Sequence, residues 1–325
     1  MTKLLTEKDI DPTLDLEAEI KRLKKEMNAV ILAHYYQDDD LQEIADFVGD
    51  SLDLSRKAAA TDAEVIVFCG VKFMAEVAKI LSPQKLVLLP DMAAGCSLET
   101  SCPAPEFKKF RAEHPDHIAL TYINCSADVK AASDIIVTSS NAEAIINQIP
   151  ANQPIIFSPD KHLGAYLSHK TGREMLLWDG TCQVHDQFSE KELVKLKTRH
   201  PKAKTIAHPE CPQHILRHAE FVGSTSQLIK FAKENAPNEF IVLTEPGILH
   251  QMKKNNPDNI FYDVPGTEGS CVWCNACPYM KLNTLEKLYL CMVNRSPEIT
   301  LPEPTRLKAK QSLDKMLEMS VNVNR

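Results

Sequence analysis

A chain of 325 residues is longer than one hydrophobic core comfortably serves, so size alone predicts two or three domains. Its 44% hydrophobic and 25% charged residues are those of an ordinary soluble globular protein, and a formal charge of -7 with scattered lysines argues against a nucleic-acid surface. No run approaches a membrane span and the acidic start MTKLLTEKDIDPTLDLEAEI has no signal-like apolar stretch, so a cytoplasmic location is expected and the ten cysteines read first as metal or redox ligands.

Along the chain, apolar residues at 16, 20, 23 and 27 predict a leading helix over 16–28. Short apolar runs then alternate with helical patterns. They predict strands at 29–33, 65–68, 86–89, 118–122, 135–137, 155–157, 175–178, 205–207, 240–243 and 260–262. Nearly continuous apolar runs of this length are the pattern of strands buried on both faces of a parallel sheet, joined by right-handed crossovers. The tail carries LNTLEKLYLCMV and, beyond Pro297, Pro302 and Pro304, LKAKQSLDKMLEM; both read as helices that pack back on the first unit.

The segments 30–60, 118–144 and 205–232 follow one plan: an apolar strand, a polar loop, a short apolar segment (ADFVGDS, SDIIVTS, AEFVGST), then a hydroxyl-bearing residue that opens a helix. Each continues into a further strand, helix and strand and ends in a cysteine. The copies lie 86–88 residues apart from Asp46 to Asp134 to Glu220, a longer period than that of common solenoids. The fold class expected is therefore α/β, with three small αβα sandwich domains. The expected bounds are 1–97 plus 278–325, 98–182 and 183–277.

In open parallel sheets the ligand crevice lies at the carboxyl ends of the strands. His34, Tyr35 and Tyr36 fall there in the first unit, Asn124 in the second, and His208, Pro209 and Glu210 in the third; Ser51, Ser139 and Thr225 occupy matching places further on. Cys96, Cys182 and Cys277 close the units, at separations of 86 and 95 residues, the last inside the run Cys271, Cys274, Cys277 followed by Pro278. That C-x-x-C-x-x-C spacing fits iron–sulfur ligation, although zinc or a redox disulfide is about as frequent for such a run alone. One cysteine from each repeat is the preferred arrangement, because a run that holds a cluster by itself leaves Cys96 and Cys182 without a role. Three thiolates leave one iron of a cubane open as a Lewis acid. Cys69, Cys102, Cys125, Cys211 and Cys291 read as buried small residues, and Cys271 with Cys274 as a reversible disulfide.

His34, His185 and His208 all lie in predicted loops. Glu210 stands beside Cys211 and Pro212, where partial burial is expected to raise its pKa and suit it to proton abstraction. Ser51, Ser139, Ser224 and Thr225 read as helix caps or, with the free N–H groups of helix N-termini, as carboxylate and phosphate binders. Several such ends around one cavity imply a small polyanionic substrate. With no G-x-G-x-x-G or Walker loop, a nucleotide cofactor is not indicated.

AHYYQ (33–37), GDS (49–51), DMAAGCSL (91–98), YINCSADVKA (122–131), TSSNA (138–142), WDGTCQVHDQF (178–188), AHPECP (207–212), GSTSQ (223–227) and CNACPYMKLNTL (274–285) occur together in this chain. On these motifs it closely resembles the quinolinate synthase A family of NAD biosynthesis over essentially its whole length. The resemblance implies three pseudo-threefold-related αβα sandwich domains around a central active-site cavity, and a 4Fe-4S cluster held by Cys96, Cys182 and Cys277. It also implies condensation of iminoaspartate with dihydroxyacetone phosphate to quinolinate, with loss of phosphate and two waters. Glu210 would be the general base, with His34, Tyr36, Tyr122, Asn124 and His185 shaping proton transfers. Ser51, Ser139, His208, Ser224 and Thr225 would anchor the carboxylates and phosphate, with His34, Tyr122, Asn124 and Glu210 also touching substrate. Links to L-aspartate oxidase and the iron–sulfur assembly machinery are implied, and neither nucleic acid nor membrane. The loop WDGTCQVH departs from the family in lacking a proline after the tryptophan. Two other classes fit parts of the pattern: an iron–sulfur hydro-lyase for a hydroxy acid, and a non-catalytic redox or metal sensor using only the C-x-x-C-x-x-C run.

Overall fold

The computed structural model describes residues 4–266 and 275–321. Among these, the strands are β1 (Ala29–His34), β2 (Phe47–Gly49), β3 (Val65–Cys69), β4 (Leu86–Leu88), β5 (Ile118–Tyr122), β6 (Ile135–Val137), β7 (Ile155–Ser158), β8 (Leu176–Leu177), β9 (Lys204–Ala207), β10 (Phe221–Val222), β11 (Glu239–Leu243) and β12 (Ile260–Asp263). They form three four-stranded parallel sheets of identical order, β2-β1-β3-β4, β6-β5-β7-β8 and β10-β9-β11-β12. Helices flank each sheet, so the expected α/β class with three αβα units is what the chain forms.

The interior strands β3 and β7 are buried along their whole length, as their unbroken apolar runs require. The edge strands β2 and β10 were expected only as short apolar segments, not as strands. They are three and two residues long and half exposed, too short and too wet to carry a strand's apolar signature.

The register makes the repeat explicit. His34 pairs with Gly49, Tyr122 with Val137 and Ala207 with Val222. His34, Tyr122 and His208 therefore share one repeat position, Tyr36, Asn124 and Glu210 the position two residues on, and Ser51, Ser139 and Thr225 a third. The acidic residue that marks the period has a structural reason. Asp46 and Asp134 accept the backbone N–H of Ile31 and Ala119 at 2.9 and 2.8 Å, and Glu220 that of Thr205 at 3.3 Å. Each also donates its own N–H to the same residue's carbonyl, which locks the entry of the edge strand onto the central one.

Helices Leu16–Glu26 and Leu285–Asn294 cover one face of the first sheet, packing Ile20, Leu23, Leu288 and Met292 on Ile31, Val65 and Val67. The second tail helix, Glu303–Met319, does not lie on the first unit alone. Its Ala309, Leu313 and Met316 enter the core shared by the first two sheets, and Ser312 Oγ donates to the Lys130 carbonyl at 2.9 Å. Among the described residues no helix is long and apolar enough to cross a membrane.

Candidate active site

The carboxyl ends of all three sheets line one cavity. His34, Tyr36 and Ser51 come from the first unit, Tyr122, Asn124 and Ser139 from the second, and His208, Glu210 and Thr225 from the third; Cys96, Cys182, His185 and Cys277 complete the wall. Two glycines permit the close approach. A Cβ on Gly180 would sit 2.4 Å from the Pro159 carbonyl and from Ser101 Oγ, just ahead of Cys182, and one on Gly247 would meet the Tyr36 backbone at 2.9 Å.

Glu210 is the centre of a buried polar chain. Tyr122 Oη donates to its Oε1 at 2.6 Å and His185 Nδ1 lies 2.8 Å from Oε2. His185 Nε2 is 2.9 Å from Thr244 Oγ1, which is 2.7 Å from Tyr36 Oη. The expectation that burial raises the Glu210 pKa is corrected here. Burial does push it up, but the facing His185 and His208 imidazoles and the hydrogen bonds from His185 and Tyr122 outweigh it, and the carboxyl is held below the usual carboxylate range. The buried Tyr36 and Tyr122 hydroxyls are pushed well up, by desolvation and by the Glu210 charge, so they remain hydrogen-bond donors.

The histidines of the repeat are set alike. His34 Nδ1 accepts the N–H of Tyr36 at 3.2 Å and His208 Nδ1 that of Glu210 at 3.4 Å, which leaves the proton of each neutral ring on Nε2. Burial brings them down to about 4 and about 3, against the attraction of nearby carboxylates, so both are neutral at pH 7. His208 Nε2 then donates to Ser139 Oγ at 3.3 Å.

Ser51 and Thr225 are the first residues of ten-residue helices capped by Asp50 and Ser224. Ser139 is not at a helix start: a turn closed by Asn141 Oδ1 on the Thr138 N–H precedes the helix Ala142–Ile146. Ser224 does not line the cavity. Its hydroxyl accepts from Gln227 N in a capping box and lies 2.8 Å from Ser140 Oγ, which donates to Asp50 Oδ2 at 2.6 Å, so residues of all three units meet beneath the hydroxyl-lined wall. Asn124 Oδ1 and Thr138 Oγ1 are buried cavity-lining oxygens with no protein partner.

The thiols of Cys96, Cys182 and Cys277 are half-buried where they face the cavity. Burial pushes all three up, Cys277 to about 11; charge on Cys277 pushes Cys96 further, and charge on Glu210 and then Cys96 pushes Cys182 further. Three such thiols ionise together only against a cation, which is the chemistry of a metal-binding donor set. Cys182, His185 and Glu210 also offer ligand atoms within 4.8 Å of one another, whereas the three cysteines together do not form so compact a group. Cys271 and Cys274 lie outside the described residues.

The family model of the quinolinate synthetase A protein, NadA, matches residues 18–318. The chain belongs to this family. Proteins described as quinolinate synthase are similar to it over nearly their whole length: that of Nostoc punctiforme is 60% identical over 95% of this chain and 94% of its own, that of Microcystis aeruginosa 59% over 94% and 95%, and that of Gloeothece citriformis 58% over 97% of each.

Sequence reasoning missed several polar residues in this NadA-family site. Thr244 joins Tyr36 to His185. Glu245, fully buried in the cavity wall, accepts from Gly247 N at 2.7 Å and Cys277 N at 3.2 Å. Burial raises its carboxyl to about 7 against the pull of Lys281, whose Nζ is 3.5 Å away and also reaches Asp38 and the Tyr36 carbonyl. A signal was available. The pairings Ala33 with Cys69, Thr121 with Ser158 and Ala207 with Leu243 place Glu245 at the repeat position of Val71 and Asp160, just past a central strand, where polar residues face ligands.

Proposed function

We propose that this chain is a quinolinate synthase acting in NAD biosynthesis, condensing iminoaspartate with dihydroxyacetone phosphate to quinolinate with loss of phosphate and two waters. The observation that carries this reading is one buried carboxylate, Glu210, clamped by Tyr122 and His185 in a cavity to which each repeat unit contributes a thiol and a hydroxyl. The three-thiol donor set fits a 4Fe-4S cluster held by Cys96, Cys182 and Cys277, because a cubane presents a separate iron to each thiolate and suits thiols more widely spread than those around a single ion. When bound, that cluster supplies an iron corner free of protein ligands, a Lewis acid for a substrate oxygen.

The protein's own groups supply the rest. Glu210, ionised at neutral pH, takes the proton from carbon next to a carbonyl, and the Tyr122 hydroxyl steadies the carboxylate before and after. His185, bridging Glu210 and Thr244, and through it Tyr36, provides a route for protons to the departing oxygens. The neutral His34 and His208 donate through Nε2, and Asn124 Oδ1 is an acceptor awaiting a ligand. Ser51 and Thr225, with the helix ends they open, hold carboxylate or phosphate beside Ser139. Ser224 acts on substrate only by capping the helix that presents Thr225. The domains are read as 1–97 plus 278–325, 98–182 and 183–277, with the helix Glu303–Met319 bridging the first two. The setting is cytoplasmic, with iminoaspartate supplied by an L-aspartate oxidase and the cluster by iron–sulfur assembly machinery.

The test is anaerobic purification followed by titration with quinolinate, with iron, sulfide and absorption measured. About four irons per chain and a spectrum perturbed by quinolinate, together with quinolinate formation from the two substrates, are expected. A colourless protein that binds zinc through Cys271, Cys274 and Cys277 and makes no quinolinate overturns the reading in favour of a sensor.

A further inference from the structure

Cys182, His185 and Glu210 form a donor set distinct from the three cysteines: one thiol, one imidazole and one carboxylate, their ligand atoms within 4.8 Å of one another on the cavity wall. We propose that in the cluster-free protein these three residues bind a single zinc-like divalent cation through Cys182 Sγ, His185 Nδ1 and Glu210 Oε2. The proposal goes beyond the assigned synthase reaction and does not depend on it, since only Cys182 is shared with the cluster.

The geometry is close to that of a tetrahedral site. Bonds of about 2.0–2.3 Å place neighbouring ligand atoms about 3.3–3.7 Å apart. His185 Nδ1 lies 2.8 Å from Glu210 Oε2 and 3.2 Å from Cys182 Sγ. Side-chain rotations that open these two contacts by about half an ångström, and bring the Cys182 and Glu210 ligand atoms, within 4.8 Å of one another, to the same spacing, seat the ion and leave its fourth position to water in the cavity.

Both non-thiol ligands already have the outer partners that metal sites use to orient them. Thr244 Oγ1 stands 2.9 Å from His185 Nε2, and Tyr122 Oη holds Glu210 Oε1 at 2.6 Å, leaving Oε2 for the ion. Protons and charge balance. The Cys182 thiol releases its proton to solvent, and the His185 proton passes from Nδ1 to Nε2, where Thr244 accepts it. Thiolate, carboxylate and dication then sum to zero, the condition under which buried charge is tolerated. Mixed sulfur, nitrogen and oxygen donors select zinc and cobalt over magnesium or calcium. An ion bound here occupies a thiol the cluster needs and the carboxylate proposed as base, so it blocks cluster insertion.

The test uses the full-length chain stripped of iron under anaerobic conditions and titrated with Co²⁺ and Zn²⁺ in competition with a chromophoric chelator. One ion per chain is expected, with a cobalt spectrum of a single thiolate. Cys96→Ser, Cys277→Ser and the double change Cys271→Ser/Cys274→Ser should leave affinity unchanged. Cys182→Ser, His185→Gln and Glu210→Gln should each weaken it more than about 100-fold, and Thr244→Val by about 10-fold. Far-UV circular dichroism checks that each variant is folded, and the near-isosteric Glu210→Gln still decides the question if a ring or thiol change unfolds the site. Loss of the ion in Cys96→Ser, Cys277→Ser or the double variant assigns it to a thiol set and overturns the proposal, as does undiminished binding by His185→Gln and Glu210→Gln. Failure of the cluster reading shows separately, as absence of iron and sulfide in the unstripped protein.

Discussion

Glu245→Ala removes an acceptor on which the turn that carries Cys277 depends. The buried carboxylate accepts from Gly247 N at 2.7 Å and from Cys277 N at 3.2 Å. Alanine leaves both N–H groups without that acceptor, at about 1–3 kcal/mol each, so the destabilisation is roughly 2–6 kcal/mol. Lys281 adds little, because its amine keeps Asp38 and the Tyr36 carbonyl. For an unfolding m-value of roughly 2–3 kcal/mol/M the urea midpoint falls by about 1–3 M. Glu245→Gln keeps one acceptor and turns an NH₂ toward the other donor, so about half the effect is expected. The assay is urea unfolding of the cluster-free chain, read with the half-life of bound iron in the loaded protein. Because Cys277 is held through its backbone, the alanine variant should also lose iron faster than wild type and the glutamine variant should fall between. A Glu245→Ala protein with the wild-type midpoint and wild-type iron retention refutes the assignment.

Cys96→Ser, Cys182→Ser and Cys277→Ser should each abolish iron–sulfur absorption and quinolinate formation, while Cys125→Ser, whose thiol is in the core, should keep both; a cluster-loaded, active Cys182→Ser chain would sink the ligand set. Glu210→Gln should retain iron yet lose about 10²–10⁴ in turnover, measured as quinolinate formed at saturating substrates. Gly180→Ala forces a methyl group against the Pro159 carbonyl and Ser101 Oγ, so lowered thermal stability and poor cluster loading are expected, checked by melting temperature and iron content. On the surface, hydrogen bonds from His218 and Arg217 lower the Glu190 carboxyl to about 2 from its usual 4.5. A depressed carboxylate stabilises the fold above its unfolded pKa, and that contribution fades as pH falls from about 4.5 to about 2. The melting-temperature gap between wild type and Glu190→Gln should therefore close over that window, and a gap independent of pH excludes the ion-paired carboxylate as its cause.

The layered α/β architecture was legible because interior strands such as β3 and β7 are continuous apolar runs and because Asp46, Asp134 and Glu220 mark a period. The edge strands β2 and β10 were not, since two or three half-exposed residues carry no periodicity. The bridging position of the helix Glu303–Met319 depends on which neighbours its apolar face meets, and local pattern does not contain that. Cavity-lining residues were legible where repeat and strand end coincide, at His34, Tyr122 and His208. Ser224 looked equally exposed to ligand in sequence, yet it is drawn into a cap by Gln227 N. The direction of the Glu210 shift was illegible for a related reason: burial is local, but it is opposed first by the His185 imidazole from another loop and then by the hydrogen bond of Tyr122, 88 residues away in sequence.

Each copy of the repeat ends in the same residue type, while an equivalent position at its first strand diverges. A cysteine closes each copy, so each unit delivers a like donor to one cavity. Two residues past each first strand the same backbone position carries a hydroxyl in Tyr36, an amide in Asn124 and a carboxylate in Glu210. Three identical carboxylates there would repel one another, and at least one would be driven to hold a proton. With one carboxylate, its charge is instead stabilised by the tyrosine hydroxyl that the second unit places at the position of His34 and His208. A repeated frame thus supplies one thiol from each unit, and divergence at equivalent strand ends supplies the hydrogen-bonded carboxylate and phenol of Glu210 and Tyr122 that strict threefold symmetry forbids.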